Sequence, residues 1–393
     1  MNVLVLHSEL GVLRGGGENF SKNLFSSFAQ RGHRVAAAFV ADRRGRYPYA
    51  LPPAIEPIPI CGWWSNNLGQ ATLSYVGRLL PTEGKYRREW DHIQAAIGWR
   101  VFSWHKRRFQ RRVASKFSQA WKEYDAVYVH GDTLVANMAA RHRPTVLRLP
   151  GPVTNELEPM LREVHAVCAN GDALNRIRLF LGDHATELPI GIDSDLFKPG
   201  PSTVRAALGW QDELVVGYVG RLTHLKGVDI LANAFRDLLS KMKNLRLLIV
   251  GSGEESHCLR ALLSNEFARG IVHLEPDVNH EKLADWYRAM DLLIMPSRYE
   301  NFSNSLLEAM SCGIPFLATE VGGNRIMAET GAGWLFESGS VSALVAHLME
   351  IAKNRCELKR RGKLGFNYVH SHHSWAAAAE RLEQIFVARV GAC

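Results

Sequence analysis

Two glutamates, Glu300 and Glu308, lie eight positions apart in "ENFSNSLLE". Glu300 follows the apolar run "DLLIMPS", which predicts a strand, and Glu308 falls inside the helix predicted after it. Doubly wound folds bind ligands at the ends of strands, and a helix N-terminus offers free amide groups to an anion. We therefore expect the amides of Phe302, Ser303 and Asn304 to meet phosphate or sugar oxygens. The carboxylates would accept hydrogen bonds from sugar hydroxyls.

A purely structural interpretation of the same stretch is open. Ser305 and Glu308 match a capping box, in which the glutamate only satisfies the start of the helix. Gly313 and Pro315 would then end that helix. This interpretation leaves Glu300 unexplained, because Glu300 precedes the helix.

Two cations follow an earlier predicted strand, in "GYVGRLTHLKG". Arg221 and Lys226 fall on one strand-to-helix loop, and Gly220 and Gly227 beside them suggest close approach of a ligand. Positive side chains can stabilise a departing diphosphate without a metal. The alternative is a pair of solvated surface cations.

Strands and helices alternate in two separate runs, which predicts an α/β protein with two doubly wound, Rossmann-like domains facing a cleft. The N-terminal domain is expected to span residues 1–196 and the C-terminal domain residues 197–374. A chain of 393 residues with 47% apolar residues is long enough for two cores.

The order of these motifs resembles the retaining glycosyltransferases of family 4, the glycosyl transferases group 1, which have the GT-B fold. Their Glu-x7-Glu motif has the spacing of Glu300 and Glu308. The segments "GRLTHLKG", "LPIGIDSDLFKP", "LIVGSGEE" and "VGGNRIMAETGAGWLF" follow the family's order over most of the chain. The resemblance implies a final helix, residues 375–393, that crosses back to the first domain.

The resemblance also implies roles for individual residues. Arg221 and Lys226 would hold the donor diphosphate, Glu300 the donor sugar and Glu308 the ribose. Arg221, Lys226 and Glu300, together with His130, would form the catalytic set. The full set implied for donor binding is Gly16, Gly17, Gly220, Arg221, Lys226, Val278, Glu300, Phe302, Ser303, Asn304 and Glu308. The donor would be a nucleoside-diphosphate sugar, with UDP as the expected nucleotide, and no further cofactor is implied.

The glycine-rich "GGGEN" at the first predicted helix leaves a second function open. Gly15, Gly16 and Gly17, with Asp42 at the end of the second strand, could form a dinucleotide site, but the G-x-G-x-x-G order is absent. The alternative to a transferase is accordingly a non-catalytic module that binds a nucleotide sugar or a dinucleotide.

His130, in "VYVHGD", ends a predicted strand and could be structural. The family often has a histidine here, near the reacting sugar, and a second one at the tip of the next strand. Pro150 stands at that second place, with Arg148 close by. This departure leaves the acceptor side open.

Two segments could suggest a metal site. Asp193 and Asp195 spell Asp-x-Asp but lie far from the diphosphate loop, so we interpret them as a turn. The "HSHH" segment at residues 370–373 has no matching ligands elsewhere. We therefore predict no metal site.

The formal net charge of +8 is concentrated in the first half, where residues 1–195 carry 25 Lys and Arg against 18 Asp and Glu. Six of the ten tryptophans fall within residues 61–122. Ile93, Ile97, Val101 and Trp104, then Val113, Phe117 and Trp121, recur at near-helical spacing. This stripe could be core packing, a contact with an anionic membrane or lipid-linked acceptor, or, least favoured, a nucleic-acid surface.

The sequence as a whole predicts a retaining, metal-independent hexosyltransferase. Its acceptor would be a saccharide or lipid-linked saccharide of cell-envelope, exopolysaccharide or lipopolysaccharide biosynthesis. Six scattered cysteines and an N-terminus without a signal pattern favour the cytoplasm, with peripheral contact at the inner face of the membrane. No nucleic-acid partner is expected.

Overall fold

The computed structural model describes residues 1–11, 16–61, 104, 106–151 and 153–390. The chain forms two compact units, each described by itself below. Unit 1 comprises Met1–Ala169, Arg176–Leu188 and Ala379–Cys393, and unit 2 comprises Asn170–Asn175 and Pro189–Ala378. No helix among the described residues is long and apolar enough to cross a membrane.

Within the described residues, unit 1 is built on a seven-stranded parallel sheet with the order β3-β2-β1-β4-β5-β6-β7. The strands are β1 Asn2–Leu6, β2 Arg34–Ala41, β3 Ile55–Cys61, β4 Ala126–His130, β5 Thr145–Arg148, β6 Ala166–Ala169 and β7 Ala185–Glu187. The helices that accompany them are Gly16–Gln30, 106–116, Thr133–Ala140, Glu158–Arg162 and Gly171–Leu181. The strand order reverses between β1 and β4, whose carboxyl ends carry His7 and His130.

Unit 2 has a six-stranded parallel sheet with the order β10-β9-β8-β11-β12-β13. Its strands are β8 Leu214–Val219, β9 Leu245–Val250, β10 Val272–Glu275, β11 Leu292–Met295, β12 Phe316–Thr319 and β13 Gly333–Phe336. Its helices are Thr203–Leu208, Val228–Leu239, Ser256–Leu262, Ser264–Ala268, Leu283–Arg288, Asn304–Ser311, Asn324–Glu329, Val341–Ala352 and Arg355–His372. Here the order reverses between β8 and β11, the strands that lead into the two motif loops.

Both sheets follow from the residue pattern. β1, β4 and β6 of unit 1 and β8, β11 and β12 of unit 2 are mostly apolar runs that are buried almost throughout. A parallel sheet covered by helices on both faces requires such runs instead of an apolar–polar alternation. The predicted fold class, two doubly wound α/β domains, is confirmed.

The last helix, Trp375–Val390, begins in unit 2 and ends in unit 1. In unit 1 the fully buried Phe386 packs edge-on against Phe28, with ring centroids 6.0 Å apart. Glu383 accepts two hydrogen bonds from Arg31, at 2.9 and 2.7 Å. The helix thus supplies part of the core of unit 1 from the opposite end of the chain.

The division of the chain differs from the predicted boundary after residue 196. Residues Pro189–Ala378 belong to unit 2, because the backbone after Pro189 is tied to the end of the long helix before Ser374. The Ile192 amide donates to the His373 carbonyl at 2.9 Å, and His373 Nδ1 lies 2.8 Å from the Ile190 carbonyl. The segment from Ser256 to Ala268 forms two short helices that are separated at Leu263.

Candidate active site

The loop after β8 carries both predicted cations and is packed directly against the loop after β11. Gly227, with φ +66°, has no room for a side chain, since a Cβ there would lie 2.0 Å from the Pro296 carbonyl oxygen. Arg298 secures the contact from the other side, because its amide donates to the Leu225 carbonyl at 2.8 Å. Its guanidinium also forms two 2.7 Å hydrogen bonds with Asp229. These contacts bring the two motif loops together.

Lys226 and Glu300 meet where these loops touch. Lys226 Nζ lies 2.5 Å from Glu300 Oε2, and the side chains are 21% and 9% exposed. Ser297 Oγ lies 3.5 Å from the same carboxylate oxygen. A charge-assisted hydrogen bond of this kind compensates the burial of the carboxylate. The remaining exposure of the ammonium leaves it able to meet an anion.

The backbone of the Glu300 loop is held in place by contacts with neighbouring segments. A Cβ at Gly322, where φ is +48°, would lie 1.6 Å from the Glu300 carbonyl oxygen. The neighbouring Gly323 amide donates to the Asn301 carbonyl at 3.0 Å. Asn301 Oδ1 in turn accepts from the Ala173 amide at 3.1 Å. The position of Glu300 is therefore set by the "VGG" segment and by Asn301, a residue that the sequence analysis did not select.

Arg221 is held differently from Lys226. Its side chain is exposed and, within the described residues, forms no hydrogen bond or ion pair. Its backbone is fixed, since the Tyr218 hydroxyl donates to the Arg221 carbonyl at 2.7 Å. A Cβ at Gly251 would also lie 1.9 Å from the Gly220 carbonyl oxygen. The predicted residue Gly220 thus lies against a neighbouring loop, and Arg221 presents a free guanidinium beside it.

The helix Asn304–Ser311 begins immediately after Phe302 and Ser303, and its N-cap is Ser303. The Ser303 side chain accepts from the Leu306 amide at 3.3 Å. The predicted capping box of Ser305 and Glu308 is therefore wrong. Glu308 lies two positions beyond Leu306, the place from which a capping-box glutamate would reach the cap. The amide-bearing turn expected to bind an anion does start at Ser303 and Asn304.

Glu308 is instead held by side chains from another part of unit 2. The Tyr287 hydroxyl donates to Glu308 Oε2 at 2.7 Å, and His280 Nε2 lies 3.3 Å from Glu308 Oε1. Burial lowers the pKa of His280, but the hydrogen bond and charge of Glu308, with Asp193 and Glu281, outweigh it and raise the pKa above its usual value. Val278, half-buried, lies in the loop after β10 that leads to His280. Sequence reasoning missed Tyr287 and His280, because neither falls in a motif.

In unit 1, the first helix lies against His130. The helix begins at Gly16, and a Cβ at Gly17 would lie 3.0 Å from His130 Nε2. His130 is buried at the end of β4 and stacks on His7, with ring centroids 4.2 Å apart. Ser21 Oγ lies 3.0 Å from His7 Nδ1 and 3.5 Å from His130 Nδ1. Gly15, the first glycine of the "GGGEN" motif, lies outside the described residues.

Burial determines the charge of the two histidines. Desolvation first, then Arg148, Lys106 and Lys22, lower the pKa of His7 to about 3. Desolvation, with His7, Arg148 and Lys106, lowers the pKa of His130 well below its usual value. Both imidazoles are neutral at physiological pH, so His130 can exchange hydrogen bonds with a hydroxyl but carries no positive charge.

Arg148 lies next to His130 in the sheet, since the two residues are register partners on β4 and β5. It is buried, and its guanidinium carbon lies 3.5 Å from the centroid of the Phe20 ring. The Gly131 amide donates to the Arg148 carbonyl at 2.8 Å. Arg148 thus ends β5, two residues before Pro150, where the resemblance would have placed a second histidine.

One group among the described residues has the composition of a metal site. His7, Glu9 and Glu18 place one ligand atom each within 4.8 Å of one another. Burial raises the pKa of Glu9 and of Glu18, while Lys106 lowers that of Glu9 and Lys22 that of Glu18. Burial outweighs the charges of these lysines, so the pKa of each carboxyl group lies above its usual value.

The remaining candidate residues from the sequence analysis form local hydrogen bonds with the backbone. Asp193 Oδ1 accepts hydrogen bonds from the amides of Asp195 and Leu196, at 3.1 Å each, which confirms the turn.

Asp42 Oδ1 accepts hydrogen bonds from the Arg44 and Arg46 amides, at 2.7 and 2.8 Å. That leaves it poorly placed as the ribose ligand of a dinucleotide site. In the "HSHH" segment, His373 Nδ1 lies 2.8 Å from the Ile190 carbonyl and His372 Nδ1 lies 2.9 Å from the Tyr368 carbonyl.

The tryptophan stripe divides into two parts. Val113, Phe117 and Trp121 are buried in unit 1, as core packing requires. Trp104 is 52% exposed. Ile93, Ile97 and Val101 lie outside the described residues.

Comparison with known proteins agrees with these features. Residues 202–367 match the family model of the glycosyl transferases group 1. A D-inositol 3-phosphate glycosyltransferase of Segniliparus rotundus is 33% identical over 202 residues, which are 50% of this chain and 45% of that protein. The chain thus spans about half the length of the curated relatives that it matches.

Solved structures extend the likeness to the whole chain. A sucrose-phosphate synthase from Thermosynechococcus elongatus has a TM-score of 0.75 and 18% identity, covering 100% of both chains. The Anabaena protein Alr3699/HepE, solved in complex with UDP-glucose, has a TM-score of 0.71 and 18% identity over 99% of this chain and 100% of that one. Residues 202–367 thus resemble the glycosyl transferases group 1, in a chain that has the GT-B fold.

Proposed function

We propose that the protein is a retaining glycosyltransferase that transfers a sugar from a nucleoside-diphosphate sugar, with UDP as the expected nucleotide. The observation that carries the proposal is the Lys226–Glu300 pair, held at 2.5 Å at the sheet edge of unit 2 where the strand order reverses. Ligands of doubly wound sheets bind at that edge. The group 1 family match over residues 202–367 supports the same site.

Each group at this site has a task that its surroundings allow. The exposed Arg221 and the Lys226 ammonium would donate hydrogen bonds to the departing diphosphate, in which negative charge develops. The amides at the start of the helix Asn304–Ser311 add donors and the positive end of its dipole. Glu300, anchored by Lys226, would accept from donor-sugar hydroxyls. The acceptor hydroxyl would attack the anomeric carbon from the face that the diphosphate leaves and would give its proton to the departing diphosphate, which keeps the anomeric configuration.

We assign the acceptor to unit 1. The neutral His130, with His7 stacked on it, would exchange hydrogen bonds with an acceptor or sugar hydroxyl near Gly17. Glu9 and Glu18 provide acceptors, while Lys106 and Arg148 add positive charge. This mixture suits a saccharide, free or lipid-linked, of cell-envelope, exopolysaccharide or lipopolysaccharide biosynthesis.

The test is slow hydrolysis of the donor in the absence of acceptor. Wild-type protein, screened against a panel of nucleotide sugars, should release free sugar from one of them in the donor's own anomeric configuration. Glu300→Gln should abolish release, and Glu350→Gln, on an exposed helix of unit 2, should leave it unchanged. Binding without turnover by the wild type would favour the non-catalytic binding module. Release of the opposite anomer would contradict retention.

The proposed chemistry uses protein cations in place of a metal. Hydrolysis and transfer should continue in excess EDTA, because Arg221 and Lys226 already supply positive charge to the diphosphate. The measurement is the turnover rate before and after chelation. Loss of activity with EDTA, restored by manganese, would direct attention to His7, Glu9 and Glu18 as metal ligands.

A peripheral membrane contact is the remaining proposal, with the protein on the cytoplasmic face. Arg107 and Arg111 are exposed on the helix 106–116, and Trp104 is exposed before it. Basic side chains near an anionic surface attract it, and tryptophan favours the interface.

A further inference from the structure

Glu308 is a buried carboxylate whose two oxygens are held by two different side chains. The residue is 9% exposed. Tyr287, from the helix Leu283–Arg288, donates to Oε2 at 2.7 Å, and His280, from the turn His280–Lys282, lies 3.3 Å from Oε1. The carboxylate therefore has one fixed orientation.

Helix formation does not account for this carboxylate. Ser303 already caps the helix, and Glu308 lies in its second turn. Among the described residues, no lysine or arginine forms an ion pair with Glu308. Burying a carboxylate is unfavourable, and within the described residues the partners that offset this cost are Tyr287 and His280. Such a group is expected where a ligand uses it.

The two hydrogen-bond donors to Glu308 differ in whether their protonation state can change. Tyr287 is fully buried, and burial together with the negative charge of Glu308 raises its pKa well above the usual value, so its hydroxyl stays protonated. The His280 side chain is 35% exposed. The Phe197 ring packs against both, with centroids 5.2 Å from His280 and 6.0 Å from Tyr287. Tyr287 is thus a constant donor, and His280 is a titratable one.

We propose that Tyr287 and His280 are positioning residues that orient Glu308 toward the ribose of a nucleoside diphosphate, with the charge on His280 setting the affinity. The inference rests on the proposed transferase function. Each carboxylate oxygen has two lone pairs, so it can accept from the protein and from a ribose hydroxyl at once. Fixing the carboxylate in advance reduces the entropy lost on binding.

The pH dependence follows from the charges around His280. Glu308, Asp193 and Glu281 face it, and all three favour the protonated ring. The protonated ring holds Glu308 more firmly and adds a positive charge near an anionic nucleotide. Because the pKa of His280 is raised, this effect is complete at low pH. It should fade as pH rises through that pKa, so affinity should fall.

The test compares UDP with 2′,3′-dideoxy-UDP by isothermal titration calorimetry on the full chain. Tyr287→Phe should weaken UDP about two- to tenfold, the worth of one hydrogen bond, and should leave the dideoxy nucleotide unaffected. His280→Gln, which keeps a donor without a charge, should remove the fall in UDP affinity between about pH 6 and about pH 8. Tyr124→Phe, in unit 1, is the matched control and should bind UDP like the wild type.

The outcomes separate the inference from the function. If wild-type protein binds UDP and Tyr287→Phe weakens both nucleotides equally, the role is structural and the inference is overturned. The same holds if His280→Gln keeps the wild-type pH dependence. If the wild type binds neither UDP nor GDP, the proposed function fails and the inference fails with it. Thermal unfolding of each variant shows that the binding data refer to folded protein.

Discussion

Arg221 and Lys226 lie in one loop, yet their surroundings make them different targets for mutation. Arg221 is exposed and unpaired within the described residues, whereas Lys226 compensates the buried Glu300 at 2.5 Å. Removing Arg221 takes away only a donor to the ligand. Removing Lys226 also leaves a buried carboxylate with a weaker partner, Ser297 at 3.5 Å.

We predict that Arg221→Ala lowers the transfer or donor-hydrolysis rate about ten- to a hundredfold, the worth of a charge-assisted hydrogen bond to the leaving group, with unfolding unchanged. Lys226→Ala should lower the rate similarly and also reduce the free energy of unfolding by about 1–3 kcal/mol. Rates at saturating donor and urea denaturation provide the measurements. Lys243→Ala, an exposed lysine of unit 2, is the control. Undiminished turnover in Arg221→Ala would remove this residue from the diphosphate site.

At the scale of elements, the last helix shows how a distant segment completes a core. Phe386 is fully buried in unit 1, and the next residue, Val387, is 60% exposed. The pair gives a matched comparison, because both side chains lie on the same turn and only one contacts Phe28.

We predict that Phe386→Ala reduces the free energy of unfolding by about 3–5 kcal/mol, through lost burial and the cavity left behind. Val387→Ala should change it by less than about 0.5 kcal/mol. Chemical denaturation followed by tryptophan fluorescence measures both. Similar small effects for the two variants would mean that the helix does not contribute to the core of unit 1.

The edge strand β3 is an element that the sequence pattern did not predict. Its sequence, "IEPIPIC", contains Pro57 and Pro59, which lack an amide hydrogen and argue against a central strand. The strand is tolerated because, among the described residues, it lies at the edge of the sheet with β2 as its single neighbour. Prolines there need to satisfy pairing on one side only.

At the scale of the whole molecule, the excess positive charge belongs to the first half of the chain. On the helix 106–116, Phe109 and Val113 face the core of unit 1, while Arg107 and Arg111 are exposed. The apolar face of this helix is already covered. Membrane contact there would be electrostatic, and the helix would not insert.

We predict that the protein co-sediments with anionic vesicles at low salt and dissociates at high salt, because each cation near such a surface adds about 1 kcal/mol. Reversing Arg107 and Arg111 to glutamate should weaken binding without affecting donor hydrolysis. Reversing Lys243 and Arg269, which are exposed in unit 2, changes the net charge equally and should have less effect. Wild-type protein that stays in the supernatant at low salt would rule out the membrane contact and favour a soluble acceptor.

The sequence by itself determined the two parallel sheets, the order of most strands and helices, and the loops on which the candidate residues lie. These features depend on neighbours along the chain, such as apolar runs for buried strands, glycines at turns and the spacing of Glu300 and Glu308. The family resemblance depends on the same local motifs, and the match over residues 202–367 confirms it.

Only the tertiary structure decided what these residues contact. Lys226 and Glu300 are 74 positions apart, and they meet because β8 and β11 are neighbours in the sheet and Gly227 lets their loops touch. Ser303 caps the helix, although Ser305 and Glu308 have the spacing of a capping box. Glu308 instead contacts Tyr287 and His280. Local spacing leaves several hydrogen-bond partners open to a side chain. The choice among them depends on which distant segments the folded sheet brings into reach.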